Sequence, residues 1–302
     1  MSIFAEVSKL ATEQRNLATT NLDELSTLDV LQLINDEDEK VAIAVRKELP
    51  TIAEVVDELV KRLSAGGRLI YVGAGTSGRM GVVDAAECPP TFGTPPEMVQ
   101  AIIAGGDRAV FQAQEGAEDR PEDGAAAIDA KKLSSKDMII GIAASKRTPF
   151  VLGALERAHA LQAYTVLLTT NPRSEVTFPF LNNAICPVVG PEVLMGSTRM
   201  KSALAQKMVL SMITTTAMVK LGKVFENMMV DLQQTNLKLV ERSKRIIMLA
   251  TNCDYDRATE LLKESGNHVK SAIVMQLRGL SKEGASKLLA NAEGHVKRAL
   301  RL

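Results

Sequence analysis

Apolar residues recur at two different spacings along this chain of 302 residues, and each spacing predicts a different kind of element. In the first 65 residues the spacing is helical, as in Ile52–Val60. Four apolar residues form an earlier cluster: Leu28, Leu31, Leu33 and Ile34. The polar run Asn35–Asp38 follows this cluster and is interpreted as the cap of the next helix. The chain is therefore predicted to begin with helices.

From Arg68 onward, short apolar runs alternate with amphipathic segments, which is typical of βαβ units. Five strands are predicted, at residues 69–72, 99–103, 138–142, 165–168 and 184–188. The fold class is thus α/β, with a doubly wound five-stranded parallel sheet. Ligands of such sheets bind beyond the carboxyl ends of the strands, where the strand order reverses. The loops after Val72 and Ile142 are the first places to expect a site.

Beyond Thr198 the pattern is helical to the end, with one long helix through about Leu221 and another from Phe225 toward Ile247. The last part contains an internal repeat, because His268–Lys270 and His295–Lys297 lie at matching positions after paired leucines. Two such copies predict two helical hairpins packed as a compact bundle, with both histidines at turns or on the surface. The predicted domains are residues 1–60 (helical), 61–224 (ligand-binding) and 225–302 (a helical tail with a small UBA-like bundle).

Composition excludes several classes of partner and cofactor. The 36 basic and 36 acidic side chains cancel, so nothing favours nucleic acid or an anionic membrane. The three cysteines are odd in number and far apart, which indicates a reducing compartment, and no leader or membrane-spanning run is evident. We therefore expect a cytoplasmic protein. None of the three histidines has a second ligand at metal-binding spacing, so no metal is expected.

The first predicted strand leads into the glycine-rich segment Gly73–Arg79 and then a helix. Glycines allow the backbone to approach an anion, and amides at a helix start point toward it. A phosphate is therefore predicted to contact Gly75, Thr76, Ser77 and Gly78. The same segment matches the G-x-G-x-x-G pattern of dinucleotide-binding domains, but no acidic residue is well placed to hold a ribose. A third alternative is a tight turn that needs glycine only for packing.

Two further segments offer similar chemistry. After the third strand come Ser145, Arg147 and Thr148, followed by a proline suited to a helix start. The third segment precedes the long helix and contributes Glu192, Ser197, Arg199 and Lys201 as candidate ligand contacts. In the alternative interpretation, Arg199 and Lys201 only balance charge in a subunit interface.

Two glutamates are candidates for proton transfer. The prolines after Glu87 predict that a helix stops there and leaves this carboxylate at the helix end beside the ligand loop. Glu118 is flanked by Gly116 and Ala117, so it has little bulk around it. The alternative for either residue is a solvated surface position.

Taken together, five motifs resemble the N-acetylmuramic acid 6-phosphate etherases, which carry a sugar isomerase (SIS) domain. They are Gly73–Arg79, Glu87–Thr91, Glu115–Asp119, Ala143–Pro149 and Gly190–Lys207, and the likeness covers nearly the whole chain. The resemblance implies cleavage of the lactyl ether of a phosphorylated amino sugar, releasing D-lactate, without a cofactor. It implies that Glu87 is the acid that protonates the ether oxygen and Glu118 the base that removes the C2 proton.

The chain departs from the family pattern at Lys146, where a glycine is usual, and at Met195 and Leu204. Lys146 would either add a cation to the phosphate site or narrow it. Two rival functions are a non-catalytic sensor similar to glucokinase regulatory protein and a sugar-phosphate isomerase. A homodimer is also expected, because the first helices and the methionine-rich helix holding Met208, Met212 and Met218 present more apolar surface than one sheet covers.

Overall fold

The computed structural model describes residues 10–234 and 236–302. The chain forms two compact units, each with its own core. The first unit holds the described residues up to Ala86 together with Glu97–Ile213. The second holds Glu87–Pro96 and Thr214–Leu302, without residue 235.

The first unit begins with three short 3₁₀ turns, at Ala11–Glu13, Leu17–Thr19 and Leu22–Glu24. Two helices follow, α1 (Thr27–Lys47) and α2 (Leu49–Ser64). The predicted helix cap at Asn35–Asp38 is wrong, because this run lies inside α1. The cap is Ser26, whose side chain accepts the Asp29 amide hydrogen, and the helix that starts there continues through residues 35–38.

The five predicted strands are confirmed as one parallel sheet with the order β2-β1-β3-β4-β5. Their bounds are β1 Leu69–Gly73, β2 Val99–Ile103, β3 Met138–Ile142, β4 Tyr164–Leu168 and β5 Asn183–Ile185. The strand order reverses between β1 and β3, which pair directly with Gly73 opposite Ile142. The fifth strand is shorter than predicted, since it ends before Pro187, a residue that has no amide hydrogen for the ladder.

Helices cover the strands and are connected through short turns. They are α3 Gly75–Phe92, α4 Arg108–Phe111, α5 Pro121–Ala130 and α6 Pro149–Ala160, with 3₁₀ turns at Ala117–Asp119 and Arg173–Glu175. A buried apolar cluster joins β1, β3 and β4 to α6, with Ile139, Val151 and Leu155 fully enclosed. This core holds the carboxyl ends of the strands in place.

Helix α7 (Lys201–Lys220) contributes residues to both units. The predicted helix start at Phe225 is wrong: β6 (Val224–Phe225) and β7 (Met228–Met229) form a small antiparallel hairpin, and α8 runs over Leu237–Thr251. The two residues between these strands include Glu226 at φ +56°, a left-handed turn conformation that breaks a helix.

The internal repeat forms two helical hairpins, as predicted. The first contains α9 (Tyr255–Glu264) and α10 (Val269–Arg278), and the second α11 (Lys282–Asn291) and α12 (Val296–Ala299). Both share one core. His268 and His295 occupy the position just before the second helix of each copy, at the turn.

The methionine-rich helix α7 is more buried than expected. Met218 is fully enclosed, and Met208 and Met212 are half-buried, so this stripe belongs mainly to the core. None of Cys88, Cys186 and Cys253 is in a disulfide. Within residues 10–234 and 236–302, every helix is too short or too polar to cross a membrane.

Candidate functional site

The glycine loop after β1 combines two roles that the sequence left as alternatives. Gly73 and Gly78 are packing residues, because a Cβ on Gly73 would lie 2.7 Å from both the Gly78 Cα and the Gly78 amide nitrogen. Gly75 differs: it adopts φ +52°, is exposed, and has no atom within 4 Å of an added Cβ. It also begins α3, so Gly75, Thr76 and Ser77 form a helix amino terminus that can receive an anion.

Replacing Gly73 with alanine is expected to lower the free energy of unfolding by about 3 kcal/mol, because the clash is with backbone that cannot move aside. Chemical denaturation would measure the change. The matched control is Gly284→Ala in α11, where the new methyl makes only ordinary contacts from 3.4 Å and is expected to raise stability by about 0.5 kcal/mol. Equal stabilities for the two variants would contradict the packing role of Gly73.

The second loop starts beside the first, because Ile142 of β3 pairs with Gly73 of β1. Ser145, Arg147 and Thr148 are all half-buried there, and Pro149 begins α6. Two helix amino termini therefore start from neighbouring strands at the reversal of strand order, which is the position expected for an anionic ligand.

Lys146 lies in this loop and resolves the question raised by the missing glycine. It adopts φ +56°, a left-handed conformation that glycine adopts with less strain. Its ammonium lies 2.7 Å from the Glu175 carboxylate and also donates to the Glu175 carbonyl. The side chain is therefore held in an ion pair with Glu175, and the expectation that it adds a cation to the phosphate site is not met.

The sequence analysis missed the residues that anchor this loop. The Ala144 carbonyl accepts hydrogen bonds from the hydroxyls of Thr169 and Thr170 and, at 2.6 Å, from the Asn171 amide. Thr170 lies 3.2 Å from the Ser202 hydroxyl at the start of α7. Thr169, Thr170 and Asn171 directly follow β4, just as the other two loops directly follow β1 and β3. This position at the end of a strand was the signal available in the sequence.

Two residues of the third segment have structural roles that correct the prediction of ligand contact. The Glu192 carboxylate is fully buried and accepts the Lys201 and Ser202 amide hydrogens at 2.9 Å each, so it caps α7. The Lys201 side chain is 1% exposed and its ammonium lies 2.6 Å from the carboxylate of Glu37. Neither group faces solvent. Ser197 is half-buried and Arg199 is exposed, so these two stay available as predicted contacts.

The buried partner of Lys201 is strongly acidic. Burial opposes ionisation of Glu37, but hydrogen bonds from Lys201 and Lys40 outweigh it and lower the pKa of this carboxyl to about 2. Lys201 therefore does not balance charge in a subunit interface. It forms an ion pair within the chain, between α7 and α1.

Glu118 and the glycine loop line the same cavity. This cavity of about 180 Å³ is bounded by Ala74 and Gly75 on one side and by residues 113–118 on the other. Glu118 lies in the 3₁₀ turn that Gly116 starts at φ +71°. Glu118 is exposed, but the burial that it has raises its pKa, and the negative charges of Asp119 and Glu115 raise it further. The group is thus a stronger base than an ordinary glutamate.

Arg79 lines the same cavity and fixes its wall. The guanidinium donates to the carbonyls of Val110 at 2.9 Å and Ala109 at 2.8 Å, at the end of α4. These bonds satisfy carbonyls that have no partner within so short a helix. Arg79 therefore holds the segment that leads to Glu118.

The structure does not place Glu87 at a helix end. Helix α3 continues through Pro89 and Pro90 to Phe92, so the prediction that proline stops the helix is wrong. A proline loses its own amide bond, but two successive prolines near the last turn remove few helical bonds, and the helix persists. Glu87 is exposed to solvent, and it is not among the described residues that line the cavity.

The described residues also contain no group of three His, Cys, Asp or Glu side chains arranged to hold a metal ion. The described lining of the cavity includes the start of α3 at Gly75, Arg79 and the carboxyl groups of Glu115 and Glu118.

Comparison with known proteins defines the class first. Residues 51–159 match the glucokinase regulatory protein N-terminal SIS domain, a sugar isomerase domain. A phosphoheptose isomerase from Francisella tularensis superposes on 63% of this chain and all of its own, with a TM-score of 0.47 and 19% identity. The matched residues 51–159 contain β1, β2 and β3, so this parallel sheet is that of a SIS domain.

Full-length relatives define the family. The chain is 56% identical to an N-acetylmuramic acid 6-phosphate etherase of Salinibacter ruber, over 99% of this chain and 96% of that protein. It is 51% identical to that of Klebsiella aerogenes, over 98% of each. The chain belongs to the N-acetylmuramic acid 6-phosphate etherase family.

Proposed function

We propose that this protein cleaves the lactyl ether of N-acetylmuramic acid 6-phosphate to N-acetylglucosamine 6-phosphate and D-lactate. The proposal rests on one observation above all: the amino terminus of α3 and the carboxylate of Glu118, whose pKa is raised, line one cavity. Membership of the etherase family supports the substrate and the reaction. A lyase needs a base close to the held substrate, and this cavity supplies one.

The phosphate is proposed to bind at the two neighbouring helix starts. Amides of Gly75, Thr76 and Ser77 and the hydroxyls of Thr76 and Ser77 would surround it from one side, whereas the Gly78 amide donates to the Ala74 carbonyl and is not a predicted contact any longer. Ser145, Arg147 and Thr148 would close the other side, with the arginine as the charged group. The three residues after β4 hold this second loop in position through the Ala144 carbonyl.

The chemistry then proceeds by elimination followed by addition of water. Glu118 takes the proton from C2 of the ring-opened aldehyde, whose carbonyl makes that proton acidic. The C3–O bond breaks, and Glu87 gives a proton to the departing oxygen, which yields D-lactate and an enal. Water then adds its hydroxyl to C3 and a proton returns to C2. Atoms and charges balance without an oxidant or reductant.

We further propose that the protein is a homodimer in which Glu87 acts on the sugar bound by the other copy. Twelve residues separate Gly75 from Glu87 in α3, a rise of about 18 Å, which is longer than a monosaccharide phosphate. Helix α1 offers a face for a second copy, because Leu28, Leu31 and Ile43 share one side and are 71%, 59% and 59% exposed. Light scattering that gave a monomer mass would contradict the dimer.

Two further expectations from the sequence stay proposals. The protein is proposed to act in the cytoplasm, a reducing compartment in which three cysteines without a disulfide are expected. The division into residues 1–60, 61–224 and 225–302 is likewise proposed. Limited proteolysis that cut first inside 61–224 would contradict those boundaries.

Incubation with N-acetylmuramic acid 6-phosphate in deuterated water tests the function. We expect stoichiometric D-lactate and one deuteron at C2 of the product, because the enal regains its C2 proton from solvent. Binding without lactate release would instead favour a sensor related to glucokinase regulatory protein. Formation of a ketose phosphate would favour an isomerase.

A further inference from the structure

A second cavity, of about 300 Å³, lies wholly within the second unit. It is lined by the turn at Gly93, by Lys223, by Val230–Gln233 and by the start of α10 at Asn267–Val269. No step of the proposed reaction uses these residues. This volume lies at the small end of the range of about 300–1,000 Å³ that is typical of ligand pockets.

The charges around this cavity are unequal. Asp231 is the carboxylate at its wall, and one of its oxygens lies 3.1 Å from the ammonium of Lys223 and 2.6 Å from that of Lys270. One carboxylate facing two ammonium groups leaves an excess positive charge. Lys270 is only 7% exposed, so water screens that charge poorly.

His268 adds a hydrogen-bond donor. Its Nδ1 accepts the Ser271 amide hydrogen and lies 2.7 Å from the Ser271 hydroxyl, which places the ring proton on Nε2. Nε2 is 3.9 Å from the nearer Asp231 oxygen, beyond hydrogen-bond distance. Burial lowers the pKa of His268, and although Asp231 opposes this, Lys270 lowers it further. The side chain is 52% exposed, so a ligand in the cavity can reach the Nε2 hydrogen.

The internal repeat provides a comparison within the same chain. The second copy places Lys297 on the surface, 59% exposed and 3.8 Å from Glu226, and His295 makes no capping bond. The hairpin therefore folds without a buried lysine at this position. Burying an ammonium group is costly without a partner, and in the first copy Asp231 supplies that partner at 2.6 Å.

We propose that this cavity binds a small oxyanion, a carboxylate or a phosphate, through Lys223, the Nε2 hydrogen of His268 and the amide side chain of Gln233. Lys270 neutralises Asp231 from behind, so that the acid does not repel the ligand. Amides at the start of α10 add to the attraction. The site is defined by residues of the second unit alone, and so it does not depend on the proposed function.

The three histidines allow a direct test on the full-length protein. With ¹³C-labelled histidine, NMR would follow His268 while D-lactate or inorganic phosphate is added in separate titrations. We expect a saturable shift of the His268 signal, with His159, which belongs to the first unit, nearly unchanged. Saturation by D-lactate alone would identify a carboxylate site for the product of the proposed reaction, and saturation by phosphate would identify a phosphate-ester site.

Lys223→Met is expected to weaken the affinity at least tenfold, whereas the matched control Lys297→Met should bind like the wild type. An unchanged His159 signal and a wild-type unfolding midpoint in denaturant would show that the variants are folded. A linear shift without saturation, or equal affinity in Lys223→Met, would overturn the site. Lactate release is measured on the same wild-type sample. A saturable shift without lactate release would overturn the proposed function but keep this site. Lactate release without a saturable shift would keep the proposed function and overturn this site.

Discussion

Replacing Glu118 with glutamine is expected to reduce both lactate release and deuterium exchange at C2 by roughly 10² to 10⁴. The amide cannot accept the C2 proton, and that transfer precedes every later step. Rates would be measured with N-acetylmuramic acid 6-phosphate in deuterated water, with lactate and label followed together. Retention of C2 exchange would contradict the role of Glu118 as the base.

The acidic limb of the rate profile provides a further check. Because partial burial and neighbouring charges raise the pKa of Glu118, activity should fall with decreasing pH from above 4.5, the ordinary value for glutamic acid. The matched control is Asp119→Asn, which removes a negative charge that raises this pKa. It should keep the rate within a few-fold and move the acidic limb to lower pH. An unshifted limb would mean that another group titrates.

Glu87→Gln is expected to lower lactate release by roughly 10² to 10⁴ while exchange at C2 survives. A glutamine cannot protonate the ether oxygen, so the sugar loses and regains its C2 proton without losing the substituent. The same deuterium experiment separates the two variants. Equal loss of release and exchange in Glu87→Gln would refute or reverse the assigned roles.

Mixing the two inactive variants tests whether Glu87 acts across the dimer. If one site uses Glu118 of one copy and Glu87 of the other, each mixed dimer has one intact site of its two. Random exchange makes half of the dimers mixed, so about a quarter of wild-type activity should return. A site built within one chain would carry a substitution in every case, and no activity would return.

Local pattern was sufficient for much of the fold. Alternation of apolar runs and glycine turns predicts the strands, and four of the five end within one residue of the predicted position. It also predicts the two helical hairpins of the tail. These features depend on residues close in sequence, which is why spacing reveals them. The hairpin at Val224–Met229 was missed, because its residues also fit a helix.

Some features of the candidate site could also be predicted from local sequence, and others could not. The glycine loop is recognisable as a strand, turn and helix start, and the placement of Glu118 after Gly116 is a local feature. The anchoring of Ala144 by Asn171 joins residues 27 positions apart, and no spacing rule indicates it. The same holds for Glu37 and Lys201, 164 residues apart.

The sequence by itself therefore determined the class of fold, and it indicated the loops and acidic residues that are candidates for the site. Only the tertiary structure decided which charged residues are buried. Lys201 and Glu192 were predicted as ligand contacts and are enclosed instead, and the matching lysines Lys270 and Lys297 of the two repeats differ, one buried and one exposed. The reason is physical: the environment of a charge depends on partners brought together by folding, and residue type and spacing do not specify those partners.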